Sequence, residues 1–220
     1  MAKTNPLRKY VLSGGPGNGK STLGELLRLK GEAFIDEAPR IIIDGEQCRE
    51  AVRNGYKGTF PWTNLPGFER LVLEKQLELE AMPNSVADRN ERIWLDRSLI
   101  DLVAYSELGG IQPPEGLIEA IGKAGYSKVF ILEPLTSYEN DRVRHETREE
   151  AMKVHTKLKE VYERFSKRLG FEIQYVPDIG LEARAELLLA EAQKDKAPQI
   201  HSCMQYYDPV EVAKLKVTLR

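Results

Sequence analysis

Residues Gly14 to Ser21 read Gly-Gly-Pro-Gly-Asn-Gly-Lys-Ser, the spacing G-x-x-x-x-G-K-[ST]. An apolar run, Lys9-Tyr10-Val11-Leu12, precedes it and reads as a strand; Thr22 to Leu29 follows with helical periodicity. That context decides what the glycines are for. Gly14, Gly17 and Gly19 lack Cβ, so the turn can adopt left-handed backbone angles and point its N–H groups inward. Those donors, with the positive end of the next helix, make a cradle for a phosphate. Gly15, Gly17, Asn18, Gly19, Lys20, Ser21 and Thr22 are therefore the expected nucleotide-binding residues. Lys20 would reach the outer phosphates and Ser21 would ligate Mg²⁺.

The remainder of the chain alternates strands with helices. Short apolar runs at 33–35, 92–96, 129–132 and 171–176 predict strands, and 40–52, 68–82, 99–108, 115–123, 149–169 and 181–192 predict helices. Residues 54–67 have loop chemistry. Five strands in such an alternation predict an α/β domain with a parallel sheet covered on both faces. Ligands bind at the carboxyl ends of strands in such sheets. Polar knots stand at those ends: 14–21, 36–40, 96–98, 133–134 and 177–178. Residues 1–194 read as one domain and 195–220 as a C-terminal extension of unassigned role.

Composition narrows the class. Forty-one per cent hydrophobic and 30% charged residues suit a soluble globular protein. A formal net charge of -2 disfavours a broad nucleic-acid surface. Cys48 and Cys203 lie far apart, in no metal-ligating pattern, and a reducing, cytoplasmic setting is expected. No run approaches the length of a membrane span, and the tail leaves room for a homodimer.

Several residues are candidates for chemistry. Asp96 ends an apolar strand and is expected to orient Mg²⁺, though a helix cap is the bland alternative. Arg97 either clamps a phosphate or substrate or forms a structural ion pair. Asp36 and Glu37 end the second strand, and one of them, with Glu37 favoured, is the expected acceptor of a hydroxyl proton; the other would pair with Arg40. Arg142, Arg144 and Arg148 are either a lid from about 138 to 148 that closes over phosphates, or a solvated face. Tyr56, Phe60 and Trp62 either stack on a flat substrate or plug the core beneath their loop. Gln76 is a candidate hydrogen-bonding partner for a substrate ring. His145 and His155 are read as surface residues.

These motifs resemble a known group. The Gly14–Ser21 loop, Asp-Glu-Ala-Pro-Arg (36–40), Pro61-Trp62, Asp96-Arg97-Ser98 with Asp101 and Ala104-Tyr105, and Asp141-x-x-Arg144-x-Glu146 resemble the AAA-domain family of small P-loop proteins over about residues 9–194. That family is similar to nicotinamide-riboside kinase domains and, more distantly, to deoxynucleoside kinases. The resemblance implies a P-loop kinase-like three-layer sandwich, Mg·ATP as phosphate donor, and a small-molecule acceptor between the 36–40 knot and the 56–76 region. In the deoxynucleoside kinases an acidic residue after the second strand is the base, which maps onto Asp36 or Glu37. Their Glu-Arg-Ser turn resembles Asp96-Arg97-Ser98, with Asp in place of Glu. The expected function is an ATP- and Mg-dependent phosphotransferase acting on a hydroxyl of a nucleoside-like or vitamin-like molecule. A slowly hydrolysing P-loop switch with a protein partner is the alternative.

Overall fold

A computed structural model describes residues 7–81, 92–136 and 147–195. The strands are β1 (Arg8–Ser13), β2 (Phe34–Ile35), β3 (Arg92–Asp96), β4 (Tyr126–Leu132) and β5 (Glu172–Val176). The helices are α1 (Lys20–Leu29), α2 (Ala38–Val52), α3 (Leu65–Ala81), α4 (Leu99–Leu108), α5 (Leu117–Ala124), α6 (Arg148–Leu169) and α7 (Leu181–Lys194). The five strands form one sheet in the order β2-β3-β1-β4-β5. Every pairing is parallel, with Leu12 of β1 beside Asp96 on one side and Phe130 on the other.

Alternation along β1 divides the core. Val11 turns to one face, where it joins Leu95, Val129 and Ile131 under residues of α2 to α6. Tyr10 and Leu12 turn to the other, with Trp94, Phe130 and Leu132 under α1 and α7. A strand buried on both sides must be apolar where it is covered, as Tyr10-Val11-Leu12, Ile93-Trp94-Leu95 and Val129 to Leu132 are. The two helical layers and the sheet between them give the three-layer architecture. Among the described residues no helix is long and apolar enough to cross a membrane.

Two element starts differ from the sequence reading by three residues, each for a physical reason. Helix α3 begins at Leu65, inside the stretch read as loop, because the Asn64 side-chain oxygen accepts the Gly67 N–H at 3.1 Å and caps the first turn. Strand β4 begins at Tyr126, earlier than expected, because the intervening Lys128 breaks the apolar run. Lys128 is nonetheless buried, and its ammonium meets Glu172 at 3.0 Å and Asp195 at 3.5 Å.

Candidate active site

The loop between β1 and α1 sits at the carboxyl edge of the central strand. Gly14 adopts a φ of 137°, and a Cβ there would lie 2.7 Å from the Leu132 carbonyl. Only glycine allows β1 and β4 to come that close as the loop leaves the sheet. Lys20, which opens α1, is buried, and its ammonium donates to the carbonyls of Gly14 at 2.9 Å and Gly15 at 3.0 Å. Burial, with the like charge of Arg97 adding to it, pulls the ammonium down to about 8. An anionic ligand in the cradle would favour its charged form.

Asn18 is 3% exposed and braces the loop with its side chain, donating to the Leu132 carbonyl at 2.7 Å. The Asn18 carbonyl accepts from Arg184 Nη1 at 2.8 Å. Ser21 and Thr22 are exposed at the first turn of α1. Ser21 Oγ donates to Asp96 Oδ2 at 3.0 Å.

The other Asp96 oxygen, Oδ1, is buried and has no hydrogen-bond partner. Burial pushes the Asp96 carboxyl above its ordinary value, against the pull of Lys20 and Arg97. A buried orphan oxygen beside a serine hydroxyl is a donor set that fits Mg²⁺. No group of three or more His, Cys, Asp or Glu stands together as a metal site among the described residues. A magnesium ion held through one carboxylate, one hydroxyl and substrate phosphates suits that count.

Arg97 follows Asp96 and turns back over the sheet edge. Its N–H donates to the Leu12 carbonyl at 2.9 Å. Its Nε donates to Glu37 Oε2 at 2.8 Å and its Nη1 lies 3.4 Å from Asp101 Oδ1, while the guanidinium stands 5.3 Å over the Tyr105 ring. Asp101 is fixed in turn by Ser13 Oγ at 2.9 Å, by the Ser98 N–H at 2.9 Å and by the Tyr162 hydroxyl. This chain of bonds ties β1, α4 and α6 to one guanidinium. Burial raises the Glu37 pKa, but the Arg97 charge and hydrogen bond outweigh it and hold the carboxyl below its ordinary value. Glu37 is therefore ionised at neutral pH.

Asp36 does not share that position. Its carboxylate faces outward and pairs with Arg28 Nη2 at 2.7 Å, which takes it off the cluster and corrects its inclusion among the catalytic candidates. The partner of Arg40 is Glu37, at 3.8 Å, and Arg40 itself is exposed. Gln76 is also corrected: it is buried in α3 and donates to Glu80 Oε1 at 3.0 Å, inside a structural network with Tyr126. Phe60 is buried and Trp62, 67% exposed, stacks on it with centroids 4.9 Å apart. The Tyr56 hydroxyl donates to Glu46 at 2.7 Å, so Phe60 plugs the core and Tyr56 pins the loop. Arg142, Arg144 and His145 lie outside the described residues, as does the expected lid apart from Thr147 and Arg148.

His155 is the clearest reversal. Read as a surface residue, it is 3% exposed and touches the phosphate loop, its Nδ1 accepting from the Gly15 N–H at 3.3 Å. Two further residues escaped the sequence reading. Arg184 of α7 donates to three carbonyls, those of Asn18, Glu133 and Pro177, each at 2.8 Å, and so fastens the loop to the ends of β4 and β5. Glu69 of α3 is 5% exposed, and its Oε2 has no hydrogen-bond partner. Burial pushes the Glu69 carboxyl up to about 7, with Arg97 the charge that opposes it. A lone polar residue at an inward position of each helix was the only available signal for either.

A sequence profile of the AAA domain matches residues 9–184. A comparison with curated protein sequences returned no match. Among solved structures the chain is similar to a deoxyadenosine kinase from M. mycoides, solved with bound dATP, at 17% identity and a TM-score of 0.55, covering 85% of this chain and 100% of that one. It is similar to NadR protein solved in complex with NR, at 18% identity and a TM-score of 0.58, covering 88% of this chain and 53% of that one. It is also similar to thymidylate kinase from Candida albicans, at 15% identity and a TM-score of 0.55, covering 84% of this chain and 91% of that one. At such identities the likeness speaks for the fold. Taken with the matched profile and the loop geometry, it means that the chain belongs to the AAA-domain family and has the P-loop kinase fold.

Proposed function

We propose that this protein is a kinase that transfers the γ-phosphoryl group of ATP to a hydroxyl of a small, nucleoside-like or vitamin-like molecule. The observation that carries this reading is the placement of Glu37. An ionised carboxylate stands at the sheet edge, bonded to Arg97, which adjoins the Asp96 that bonds Ser21 of the phosphate loop. A hydrolytic switch has no need of a carboxylate buttressed there by arginine; an alcohol acceptor does. Among the similar structures, the name of the deoxyadenosine kinase is that of a kinase with a nucleoside acceptor.

The residues divide the work as follows. Lys20 and the loop amides hold the triphosphate and offset charge that builds on it. Ser21 and Asp96 would hold a magnesium ion, which would supply further neutralisation of phosphate charge. Glu37 accepts a hydrogen bond from the acceptor hydroxyl, and as the hydroxyl oxygen bonds to the γ-phosphorus that proton passes to the carboxylate. The bond from the γ-phosphorus to its bridging oxygen breaks, and ADP departs with those electrons. Arg97 keeps Glu37 ionised and in place. Glu69, with a buried oxygen free to accept, suits an N–H or O–H on the rest of the acceptor. The region between α2, α3 and α4 is where that molecule would lie.

The test is incubation with ATP, Mg²⁺ and a metabolite pool rich in nucleosides and pyridine ribosides, followed by mass spectrometry. A metabolite heavier by one phosphoryl group, formed with ADP, is the expected result. Slow ADP release that no metabolite accelerates would overturn the proposal.

A further inference from the structure

We propose that His155 is a positioning residue of the phosphate loop, fixing the loop's first turn through a neutral imidazole delivered by α6. Helix α6 presses directly on the loop: a Cβ at Gly15 would lie 2.9 Å from the Ala151 carbonyl and 3.0 Å from His155 Cβ. At that contact His155 Nδ1 meets two donors, the Gly15 N–H and Asn18 Nδ2, both at 3.3 Å. Asn18 Nδ2 spends its other proton on the Leu132 carbonyl. A ring nitrogen facing two donors carries no proton, so the proton sits on Nε2. There it is donated to Glu133 Oε2 at 3.0 Å. Glu133 is itself oriented, its other oxygen accepting from Lys159 at 2.9 Å.

The consequence follows from the seat of Lys20. Its ammonium rests on the carbonyls of Gly14 and Gly15, so whatever fixes Gly15 fixes the ammonium. Protonation of His155 at Nδ1 would set three donors against one another and release the turn. The charged groups facing the imidazole are Glu133, which favours protonation, and Lys159 and Lys20, which oppose it. Burial outweighs the attraction of Glu133 and holds the histidine below its ordinary value. The latch is thus closed at neutral pH and opens as the pH falls below the ordinary histidine range. This inference rests on a nucleotide occupying the loop, but not on any acceptor or transfer step.

The experiment compares wild type, His155→Gln and His155→Ala by calorimetric titration with Mg·ATP, between about pH 8 and about pH 5. Glutamine can present an oxygen to Gly15 and an N–H to Glu133, and it has no proton to gain. At about pH 8 His155→Gln should bind close to wild type, and His155→Ala about tenfold more weakly, the worth of roughly one buried hydrogen bond. On acidification wild type should lose about tenfold relative to His155→Gln, a comparison that cancels the protonation of ATP itself. Parallel pH profiles for wild type and His155→Gln would overturn the proposal. So would affinity that rises in acid only when His155 is present. Nitrogen NMR of the ligand-free protein gives an independent reading: a protonated Nδ1 near neutral pH refutes the latch whatever the nucleotide does. Wild type that fails to bind Mg·ATP at about pH 8, with Nδ1 unprotonated, sinks the nucleotide reading instead.

Discussion

Arg97 is the only non-glycine with a positive φ among the described residues, at 71°. Such a backbone costs about 1–3 kcal/mol and persists only where its surroundings over-determine it. Here the Leu12 carbonyl, Glu37, Asp101 and the Tyr105 ring do so, and what the strain secures is the position of Glu37. Replacing Glu37 by Gln should lower phosphotransfer by about 10²–10⁴-fold, the usual range for a lost general base. Mg·ATP titration should show an almost unaltered affinity; turnover equal to wild type would remove Glu37 from the proton path. Glu69 leads to the opposite kind of prediction. Its native carboxyl, raised to about 7, stays protonated at a pH where the unfolded chain is already ionised. The penalty is therefore absent below about 4.5, grows as pH rises, and is complete above about 7. Glu69→Gln should stabilise the fold by about 1–3 kcal/mol near pH 8 and by progressively less toward acid. Urea denaturation at several pH values measures this. The same variant should weaken use of the acceptor, since stability gained at a binding carboxylate is commonly function lost.

Helices meet the loop from two sides, and neither contact was visible in the one-dimensional pattern. Arg184 arrives from α7 and His155 from α6, each separated from its loop partners by more than a hundred residues. Periodicity reports which face of a helix is buried, not which polar atom awaits it, so an inward Arg or His looks like noise in an apolar stripe. What periodicity does report, it reported well: the apolar runs that became β1 and β3 and the stripe that became α6 lie where expected. The glycine spacing at 14–21 marked the loop because few other sequences permit such a bend. Asp36 and Glu37 show the limit. Adjacent residues point in different directions, and only the packing of Arg28 against one and Arg97 against the other separates them. Arg184 provides a test at this scale. Its three hydrogen bonds to carbonyls, at about 1–1.5 kcal/mol each, make Arg184→Met a loss of about 3–4.5 kcal/mol in thermal unfolding. Arg184→Lys should recover little, because an ammonium cannot span three carbonyls as a planar fork does.

At the scale of the whole molecule, the carboxyl ends of β1, β2 and β3 bring the Lys20, Glu37 and Asp96 regions to one edge of a rigid sheet, with β1 at its centre. A ligand there should stabilise everything the sheet connects. Saturation at a hundred times Kd adds about 2.7 kcal/mol to the folded state. For a domain of this size each kcal/mol raises Tm by about 2–4 °C, so Mg·ATP should raise it by about 5–10 °C. Lys20→Ala should abolish that rise with little change in the unliganded Tm, since the alanine removes a desolvated charge along with its bonds. In the free protein burial holds the Lys20 ammonium down to about 8, so above that pH the side chain is increasingly neutral. A polyphosphate beside it favours the charged form, and binding above about pH 8 must then draw a proton from solution. Affinity should fall as pH climbs past that value, and the Tm rise near pH 9.5 should be smaller than the rise near pH 7.5. Calorimetry in buffers of different ionisation enthalpy counts the proton directly. Uptake that climbs toward one proton per nucleotide between about pH 7 and about pH 9.5 in wild type is the expected result; uptake that stays constant across that range would place the titrating group elsewhere.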